Sequence, residues 1–432
     1  MHAYRALLKR KLFDWSFHPA VRWTVSAALF AGYLLRGGDG KPSAYRLLLK
    51  AHRYAARQGL GLLYERAVQR HLPYWLSLLP ALPSPASLTD GQRRSFHRRT
   101  LVLKAPRLAG DEVLEKGVLF TKTGWELMLL TDVERVLEHY TLVVEPGWSG
   151  YADPNLLRLC AYRQHDIVVC SPEPSDFDFL ASLNCNLIPV RLGASDWVNP
   201  TVFRPLERVA KEYDAVLVAG WGVYKRHHAL FAALRRIRQL DYKVALVGEE
   251  WKGTRAEIDA LIDLYGVRDR LVIYQSLSPS EVNEVLNRSR VNLILTLREG
   301  ANKSIFEGFF ANVPGIVLAN NIGINKNHIN EQTGRLISER QLPEALLWFR
   351  SNYQRFQPRE WALAHISPEV STAKLNEFLR ELALKRGETW TRDIVAKTNC
   401  PDPVYYPDER VAEGLPTVDD LLKQYGRRGN VP

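Results

Sequence analysis

The sequence predicts an α/β protein built from two parallel-sheet domains in tandem, with a basic helical extension at the amino end. From about residue 100, short apolar runs alternate with helical segments, and the alternation starts again after a turn near residues 193–205. Alternating strands and helices are typical of parallel sheets with helices packed on their faces. The first hundred residues instead contain helical runs rich in arginine, leucine and tyrosine. We therefore expect two tandem Rossmann-like domains after a helical segment.

Near-continuous apolar runs identify the strands, because the strands of a parallel sheet are covered on both faces. The predicted strands are 118–121, 140–145, 166–170 and 186–190 in the first domain, and 215–219, 244–247, 271–274, 291–295 and 315–318 in the second. The predicted helices of the second domain are 229–239, 255–264, 280–287 and 304–311. Ligands of such sheets bind at the carboxyl ends of the strands, so the segments that follow each strand are the candidates for a site.

Length and composition agree with this organisation. The chain has 432 residues, of which 46% are hydrophobic and 24% are charged, so a disordered, collagen-like or coiled-coil chain is excluded. The predicted domains are residues 1–100, a basic helical extension; 101–200, the first Rossmann-like domain; 201–375, the second; and 376–432, a carboxyl-terminal helix and tail.

Positive charge is concentrated near the amino end. Residues 1–110 contain 19 Lys and Arg against four Asp and Glu, whereas the rest of the chain contains 39 and 43. This asymmetry indicates an anionic partner, either membrane lipid, nucleic acid or a phosphorylated substrate. A basic amphipathic surface on an anionic membrane and a solvated face of a packed helical subdomain remain equal alternatives. Nucleic acid is disfavoured, because none of its usual binding motifs accompanies the charge.

The sequence contains no clear membrane-spanning segment or signal peptide, and its cysteines form no recognisable motif. The longest apolar run, residues 23–35, is shorter than the roughly 20 residues of a membrane-spanning helix. It also makes a poor signal peptide, because no small-residue cleavage site follows it. The four cysteines form no CxxC pair, which disfavours a zinc knuckle or a disulfide framework. We expect a reducing compartment.

The most informative motif begins at the end of the strand near residue 295. Glu299 and Glu307 are eight positions apart, and Asn302 is a suitable amino-terminal cap for the helix between them. Glu307 lies among aromatic and aliphatic residues, where a carboxylate needs a hydrogen-bonding partner such as a ribose hydroxyl. Solvated acidic residues near a helix start are the simpler alternative for either Glu alone. The residues predicted to surround a phosphate at this helix start are Gly300, Ala301, Asn302, Lys303 and Ser304.

A second motif follows the first strand of the second domain. Gly220 and Gly222 allow close approach of the backbone to a ligand, and Lys225 or Arg226 could neutralise a diphosphate. The spacing is not that of a P-loop. Basic residues in a loop are more often solvated, so this motif is weak by itself.

Together these motifs resemble the retaining GT-B glycosyltransferases of family four, also described as glycosyl transferases group one. The resemblance is carried by the E-x7-E pattern of Glu299 and Glu307, by Lys225 in the basic loop, by the interdomain linker at 193–205 and by the turn at 328–334. It covers roughly residues 100–375 and is strongest over 215–340. One departure is Trp221, because the family usually has arginine directly after this glycine.

The resemblance implies a nucleotide diphosphate sugar as donor, bound mainly by the second domain. Glu299 would contact the transferred sugar, Glu307 the ribose and Lys225 the departing diphosphate, with Arg226 and Gly222 as further donor contacts. No metal or other cofactor would be needed. The first domain would bind a sugar, glycan or lipid-linked acceptor, with Lys122, Gly124 and Trp148 as candidate contacts. A tryptophan such as Trp148 is, however, more often a core residue than a sugar-stacking one.

The favoured interpretation is a cytoplasmic, retaining, metal-independent glycosyltransferase in surface polysaccharide or glycolipid synthesis, peripherally associated with the inner face of the membrane through residues 1–110. The alternative is a non-catalytic sugar-nucleotide-binding or scaffold protein on the same fold, which the Trp221 departure motivates.

Overall fold

The computed structural model describes residues 2–37, 41–55, 59–300, 302–399 and 403–427. The chain divides into two compact units. The donor-side unit consists of the residues up to His18 together with Ser195–Val370, and the acceptor-side unit consists of Pro19–Ala194 together with the chain from Ser371 onwards. Both names follow the roles expected from the sequence.

Helices form most of the described amino-terminal part of the chain, as predicted. They are α1 (His2–Trp15), α2 (Pro19–Leu35), α3 (Pro42–Tyr54), α4 (Leu60–Ser77) and α5 (Asp90–Arg98). In the acceptor-side unit, α3 packs against both α2 and α4, and the Tyr45 and Trp75 rings stack with centroids 4.8 Å apart. In the described part of the chain, no helix is both long enough and apolar enough to cross a membrane.

The acceptor-side unit contains a five-stranded sheet in the order β1-β4-β5-β6-β7, in which β4–β7 are parallel and β1 is an antiparallel edge. The elements are β1 (Thr100–Lys104), β2 (Arg107–Ala109), β3 (Glu112–Glu115), β4 (Gly117–Thr121), α6 (Gly124–Leu130), α7 (Val133–His139), β5 (Tyr140–Val144), α8 (Pro154–Leu157), β6 (Ile167–Cys170), α9 (Pro174–Ser182) and β7 (Leu187–Val190). β2 and β3 form a separate hairpin. The three central strands, β4, β5 and β6, are almost entirely buried, which explains their apolar sequences.

The donor-side unit contains a six-stranded parallel sheet in the order β10-β9-β8-β11-β12-β13. Its elements are β8 (Ala215–Val218), α10 (His227–Arg236), β9 (Val244–Gly248), α11 (Arg255–Tyr265), β10 (Leu271–Gln275), α12 (Pro279–Asn287), β11 (Asn292–Ile294), α13 (Ser304–Phe310), β12 (Gly315–Leu318), β13 (Gly334–Ile337), α14 (Leu342–Asn352) and α15 (Pro358–Ile366). This is the order of a dinucleotide-binding sheet, and it reverses direction between β8 and β11. The predicted fold class, two tandem Rossmann-like α/β domains with a helical amino-terminal segment, is confirmed.

The chain leaves the donor-side unit within α16 (Pro368–Lys385). It then forms the short antiparallel pair β14 (Thr398–Asn399) and β15 (Val404–Tyr405), and ends its described part after α17 (Val418–Tyr425). α17 packs on α7 and β1, and the buried Tyr425 carbonyl accepts a hydrogen bond from the Asp132 N–H. The carboxyl-terminal segment is therefore part of the acceptor-side unit.

The first helix departs from the predicted domain boundaries. The extension was expected over residues 1–100, but α1 packs on α11 of the donor-side unit, and Ala6 is buried in that unit's core. Arg10 is also completely buried. The structure thus divides the amino-terminal segment between the two units after His18.

Candidate active site

The candidate site lies where the strand order of the donor-side sheet reverses. One loop, residues 220–226, follows β8, and a second, described for residues 295–300 and 302–303, follows β11. These two strands are neighbours in the sheet, and their carboxyl ends open onto the same crevice. Strand order therefore brings together two motifs that are about 75 positions apart in the sequence.

The two predicted catalytic residues are in direct contact. Lys225 Nζ donates to Glu299 Oε1 over 2.8 Å, and Asn302 Nδ2 donates to the same oxygen over 3.3 Å. Both charged side chains are largely shielded, with 16% of Lys225 and 10% of Glu299 exposed. An ammonium group and a carboxylate thus form a partly exposed ion pair at the carboxyl ends of the two middle strands of the sheet.

The backbone of Glu299 is fixed by the turn that follows β12. Its N–H donates to the Ile322 carbonyl over 2.8 Å, and the Ile322 N–H donates to the Leu297 carbonyl over 3.0 Å. Gly323 lies against this pairing with φ +108°, and a Cβ built on it would be 1.9 Å from the Glu299 carbonyl oxygen. Gly323 was not among the predicted residues, although its position after a predicted strand was a usable signal.

Lys225 is positioned by a short 3-10 turn, Val223–Lys225. Gly222 precedes it at a crowded position, because a Cβ there would be 2.5 Å from the Tyr224 ring. Tyr224 packs edge-on against the Trp251 ring at 6.1 Å, and burial together with the nearby Glu299 charge raises its pKa to about 12. Tyr224 is therefore neutral, and its ring lies beside Lys225, with Lys225 Nζ 5.1 Å from the ring centroid.

Arg226 has a different environment from Lys225, although both were predicted to face a diphosphate. Its guanidinium is buried, with bonds to both carboxylate oxygens of Asp14 at 2.7 and 2.9 Å and to Glu339 at 2.6 Å. It also donates to the Leu295 carbonyl over 2.9 Å. These contacts connect α1, the loop after β8 and the short 3-10 turn that precedes α14. In this structure the Arg226 guanidinium therefore binds protein groups, whereas it was predicted to bind a diphosphate.

Trp221 is a fully buried core residue. Its carbonyl accepts a hydrogen bond from the Arg10 guanidinium over 3.2 Å. An arginine of α1 therefore reaches the backbone of the position where the resembling family usually has its own arginine. Arg10 and Asp14 were missed because their partners lie more than 200 positions away in the sequence.

Glu307 is buried in the first turn of α13, not in the second. Burial raises its pKa to about 7, and the charge of Lys303 only partly opposes this shift. None of the described residues gives its carboxylate a hydrogen bond or an ion pair in this structure. Gly308, the next residue, is closely packed, since a Cβ there would be 2.8 Å from Asn292 Nδ2.

The residue at the amino-terminal cap of α13 is Lys303, and Asn302, the predicted cap, lies one position earlier. Asn302 Oδ1 accepts the Ile305 N–H and the Ser304 hydroxyl, both over 3.1 Å. Gly300, Lys303 and Ser304 lie on the same loop and helix start. Ala301, which was also predicted to be part of the site, lies outside the described residues.

In the acceptor-side unit, the three predicted contacts follow β4 and β5. Lys122 is buried, with its Nζ 3.3 Å from Glu145 Oε1, and Lys397 Nζ is 3.5 Å from the other oxygen of that carboxylate. Gly124 starts α6. Trp148 is 38% exposed, so the expectation that it is a core residue was wrong.

The segment that carries these donor-side features matches a known family. Residues 213–348 match the model of the family described as "Glycosyl transferases group 1". This match includes Lys225, Glu299 and Glu307, and it confirms the resemblance for that segment. No curated protein sequence matches the chain.

Several solved glycosyltransferase structures are distantly similar. Sucrose-phosphate synthase from Thermosynechococcus elongatus is 17% identical over 57% of this chain and 69% of its own, with a TM-score of 0.47. A TarM mutant from S. aureus, solved with UDP among its ligands, is 13% identical over 56% of this chain and 51% of its own, with a TM-score of 0.46. HepE from Anabaena, solved with UDP and glucose, is 11% identical over 61% and 77%, with a TM-score of 0.48. The chain spans about half the length of TarM. These scores are below 0.5, so neither activities nor ligands are carried over from these proteins.

Proposed function

We propose that this chain is a retaining glycosyltransferase that moves a sugar from a nucleotide diphosphate sugar to an acceptor hydroxyl. The observation that carries the proposal is the Lys225–Glu299 contact at the point where the donor-side strand order reverses. The match of residues 213–348 to the group 1 glycosyltransferases supports it.

Lys225 is assigned to the diphosphate of the donor. Its ammonium group is already paired with a carboxylate, so a ligand phosphate would compete for an existing ionic contact. Positive charge held at the leaving group stabilises the negative charge that develops as the glycosidic bond breaks. Since Lys225 supplies that charge, the proposed reaction does not require a metal.

Glu299 and Glu307 are assigned to hydroxyl groups of the donor. Asn302 and the Ile322 backbone hold Glu299 beside Lys225, where its second oxygen can accept from a hydroxyl of the transferred sugar. Glu307 is a buried acceptor that lacks a donor among the described residues, and a ribose diol supplies two donors. Gly222, Gly300, Asn302, Lys303 and Ser304 complete the proposed donor site, with Arg226 holding the loop rather than touching the ligand.

The acceptor is assigned to the carboxyl ends of the acceptor-side strands. Lys122 and Gly124 follow β4, and Trp148 follows β5 with an exposed ring that can stack on a sugar. We further propose a role in surface polysaccharide or glycolipid synthesis and a cytoplasmic location on the inner face of the membrane.

The membrane part of the proposal rests on the outer face of α1. Four apolar side chains on this face, Tyr4, Leu8, Leu12 and Trp15, are each more than half exposed. At 100° per residue they form one stripe, and the exposed Arg5, Lys9 and Lys11 flank it. An apolar stripe bordered by cations fits the surface of an anionic bilayer.

A thermal-shift panel of UDP-, GDP- and ADP-sugars in EDTA tests donor binding. A donor at 100 times its dissociation constant should stabilise the protein by about 2.7 kcal/mol. Lys225→Ala should abolish the shift, whereas Lys243→Ala, at the amino end of β9, should keep it. A panel without any shift would contradict the proposal.

One observation favours the alternative of a sugar-nucleotide-binding protein without catalysis. Trp221 replaces the family's usual arginine, and Arg226 is held by Asp14 and Glu339. Donor binding without transfer or hydrolysis, in the presence of varied acceptors, would support this alternative.

A further inference from the structure

A cavity in the acceptor-side unit lies away from the proposed site. Its volume is about 760 Å³, and it adjoins the residues directly before β6 and β7, at the amino ends of these strands. The acceptor contacts proposed above follow the carboxyl ends of the strands in the same sheet. The cavity is therefore a separate feature of this unit.

Two cysteines line this cavity side by side. The sulfur atoms of Cys160 and Cys185 are 3.4 Å apart. Cys160 is buried and Cys185 is half-buried, so Cys185 is the more accessible of the two. A disulfide has an S–S length of about 2.0 Å, so the two sulfurs need to approach by only about 1.4 Å.

The proximity of the two thiols is maintained by Asn186. Its Nδ2 donates to the carbonyls of Leu159, Tyr162 and His165 over 3.2, 2.9 and 3.0 Å. These bonds tie the residues after Cys185 to the segment that contains Cys160. The Asn186 Oδ1 is buried and has no hydrogen-bond partner within the described parts of the chain, so a donor group in the cavity could satisfy it.

The two thiols differ in acidity. The hydrogen bond from the Cys160 thiol lowers the pKa of Cys185 to about 7, helped by the Leu187 backbone N–H. That same interaction and burial raise the pKa of Cys160 well above its usual value. Cys185 is thus the thiol with a substantial thiolate fraction at neutral pH, and the thiolate is the attacking species in disulfide exchange.

Cations stand at the mouth of the cavity. Arg163, Lys385 and Arg386 line it and are exposed. Asp166 pairs with Arg386, which leaves Arg163 and Lys385 to attract negative charge to the opening.

We propose that Cys160 and Cys185 form a dithiol site that reacts with a small anionic disulfide admitted by this cavity. The Cys185 thiolate attacks one sulfur of the ligand disulfide and releases its first thiol. Cys160 then attacks Cys185 Sγ in the mixed disulfide and releases the second thiol. One protein S–S bond replaces one ligand S–S bond, and the two protein thiol protons end on the two released thiols. The site is independent of the glycosyl-transfer proposal.

The first test treats the full chain with glutathione disulfide and maps the products by peptide mass spectrometry. We expect a Cys160–Cys185 disulfide with a loss of two hydrogens, while Cys170, buried at the end of β6, stays reduced. With Cys160→Ser, one glutathione should remain attached to Cys185. If Cys185 reacts no faster than Cys170, or if the Cys160–Cys185 bond does not form, the proposal is overturned.

The second test measures the role of charge. Arg163→Gln with Lys385→Gln should slow the reaction with anionic glutathione disulfide and leave the reaction with cationic cystamine unchanged or faster. The matched control is Arg380→Gln with Lys374→Gln, at two exposed positions of α16 outside the cavity lining. Equal slowing of both reagents would overturn the assignment of an anionic disulfide.

Discussion

Arg226 and Asp14 form a bidentate ion pair that connects α1 to the loop after β8. Both oxygens of Asp14 accept from this guanidinium, at 2.7 and 2.9 Å, and one of them also contacts His228 Nε2 at 2.8 Å. Lys225, the residue proposed to bind the diphosphate, directly precedes Arg226. The position of a candidate catalytic lysine thus depends on a helix more than 200 residues earlier in the chain.

Removal of the Asp14 carboxylate should strongly destabilise the protein. Burial alone would raise the pKa of Asp14, but hydrogen bonds from His228 and Arg226 hold it at about 2. Asp14→Ala leaves Arg226 buried with one partner fewer, and we expect a loss of about 3–5 kcal/mol in the free energy of unfolding. Urea titration measures this. Lys9→Ala breaks an exposed pair on the same helix and should change stability by less than about 1 kcal/mol. A similar effect for both variants would argue against the fastening role.

Loss of the Lys225 charge should affect catalysis far more than folding. Lys225→Ala is expected to lower the transfer rate about 100–1,000-fold, because one electrostatic donor at the leaving group is lost. Steady-state kinetics with the donor found by the thermal-shift panel measures it. Lys243→Ala removes the same charge at the opposite end of the sheet and should leave the rate unchanged. If Lys225→Ala kept the wild-type transfer rate, Lys225 would not be the residue that stabilises the leaving group.

A side chain at position 323 should displace Glu299. In Gly323→Ala the new methyl group would overlap the Glu299 carbonyl, so the turn must move and the transfer rate should fall together with stability. Gly266→Ala is the matched control, because Gly266 also has positive φ (+64°) but has open space around it. We expect the control to lose about 1–2 kcal/mol of stability and to keep its full activity. Equal kinetics for the two variants would show that Gly323 does not position Glu299.

Glu307 should make stability fall as pH rises. Its pKa is about 7 in the folded chain against an ordinary value of 4.5, so the folded state keeps this proton between these values while the unfolded state releases it. The free energy of unfolding should therefore decrease across that pH range by on the order of 3 kcal/mol and stay low above it.

Glu307→Gln should abolish this part of the pH dependence and be more stable than the wild type at about pH 8. Chemical denaturation at several pH values measures the difference. Glu331→Gln, at an exposed position, should follow the wild-type curve. If Glu307→Gln also followed it, the carboxylate would not be the buried group responsible.

The stripe on α1 should bind anionic membranes. Wild-type protein is expected to sediment with vesicles that contain phosphatidylglycerol and to stay in solution with phosphatidylcholine alone. Leu8→Glu with Leu12→Glu should weaken this binding about tenfold or more, because two apolar side chains no longer enter the interface. Leu108→Glu with Leu114→Glu, on the β2–β3 hairpin, is the control at other exposed leucines. Equal binding by both double variants would locate the membrane contact elsewhere.

The strands and the two central motifs were predictable from the sequence for a local reason. A buried parallel strand is an uninterrupted apolar run, so Ala215–Val218 and Gly315–Leu318 were recognisable without their neighbours. The Lys225–Glu299 contact followed from strand order, because both residues come directly after strands of one parallel sheet.

The remaining features depend on long-range packing. Nothing near Asp14 in the sequence indicates that its partner is Arg226, and the same holds for Arg10 and the Trp221 carbonyl. Trp148 was expected in the core because tryptophan usually is, but it follows a strand end where the chain is at the surface. Gly323 lies in the turn after β12, whereas Glu299 lies in the loop after β11, so the contact between them is not visible in the local sequence of either.

The order in which a ribosome makes these segments differs from the order in which they can assemble. α1 emerges about 200 residues before β8, and its docking surface is complete only after the donor-side sheet has been translated. Until then its apolar and cationic side chains have no native partner in that unit. A recombinant fragment that begins at Ser195 would lack Arg10 and Asp14, so expression of the donor-side sheet alone should require α1 to be supplied as a fused or separate peptide.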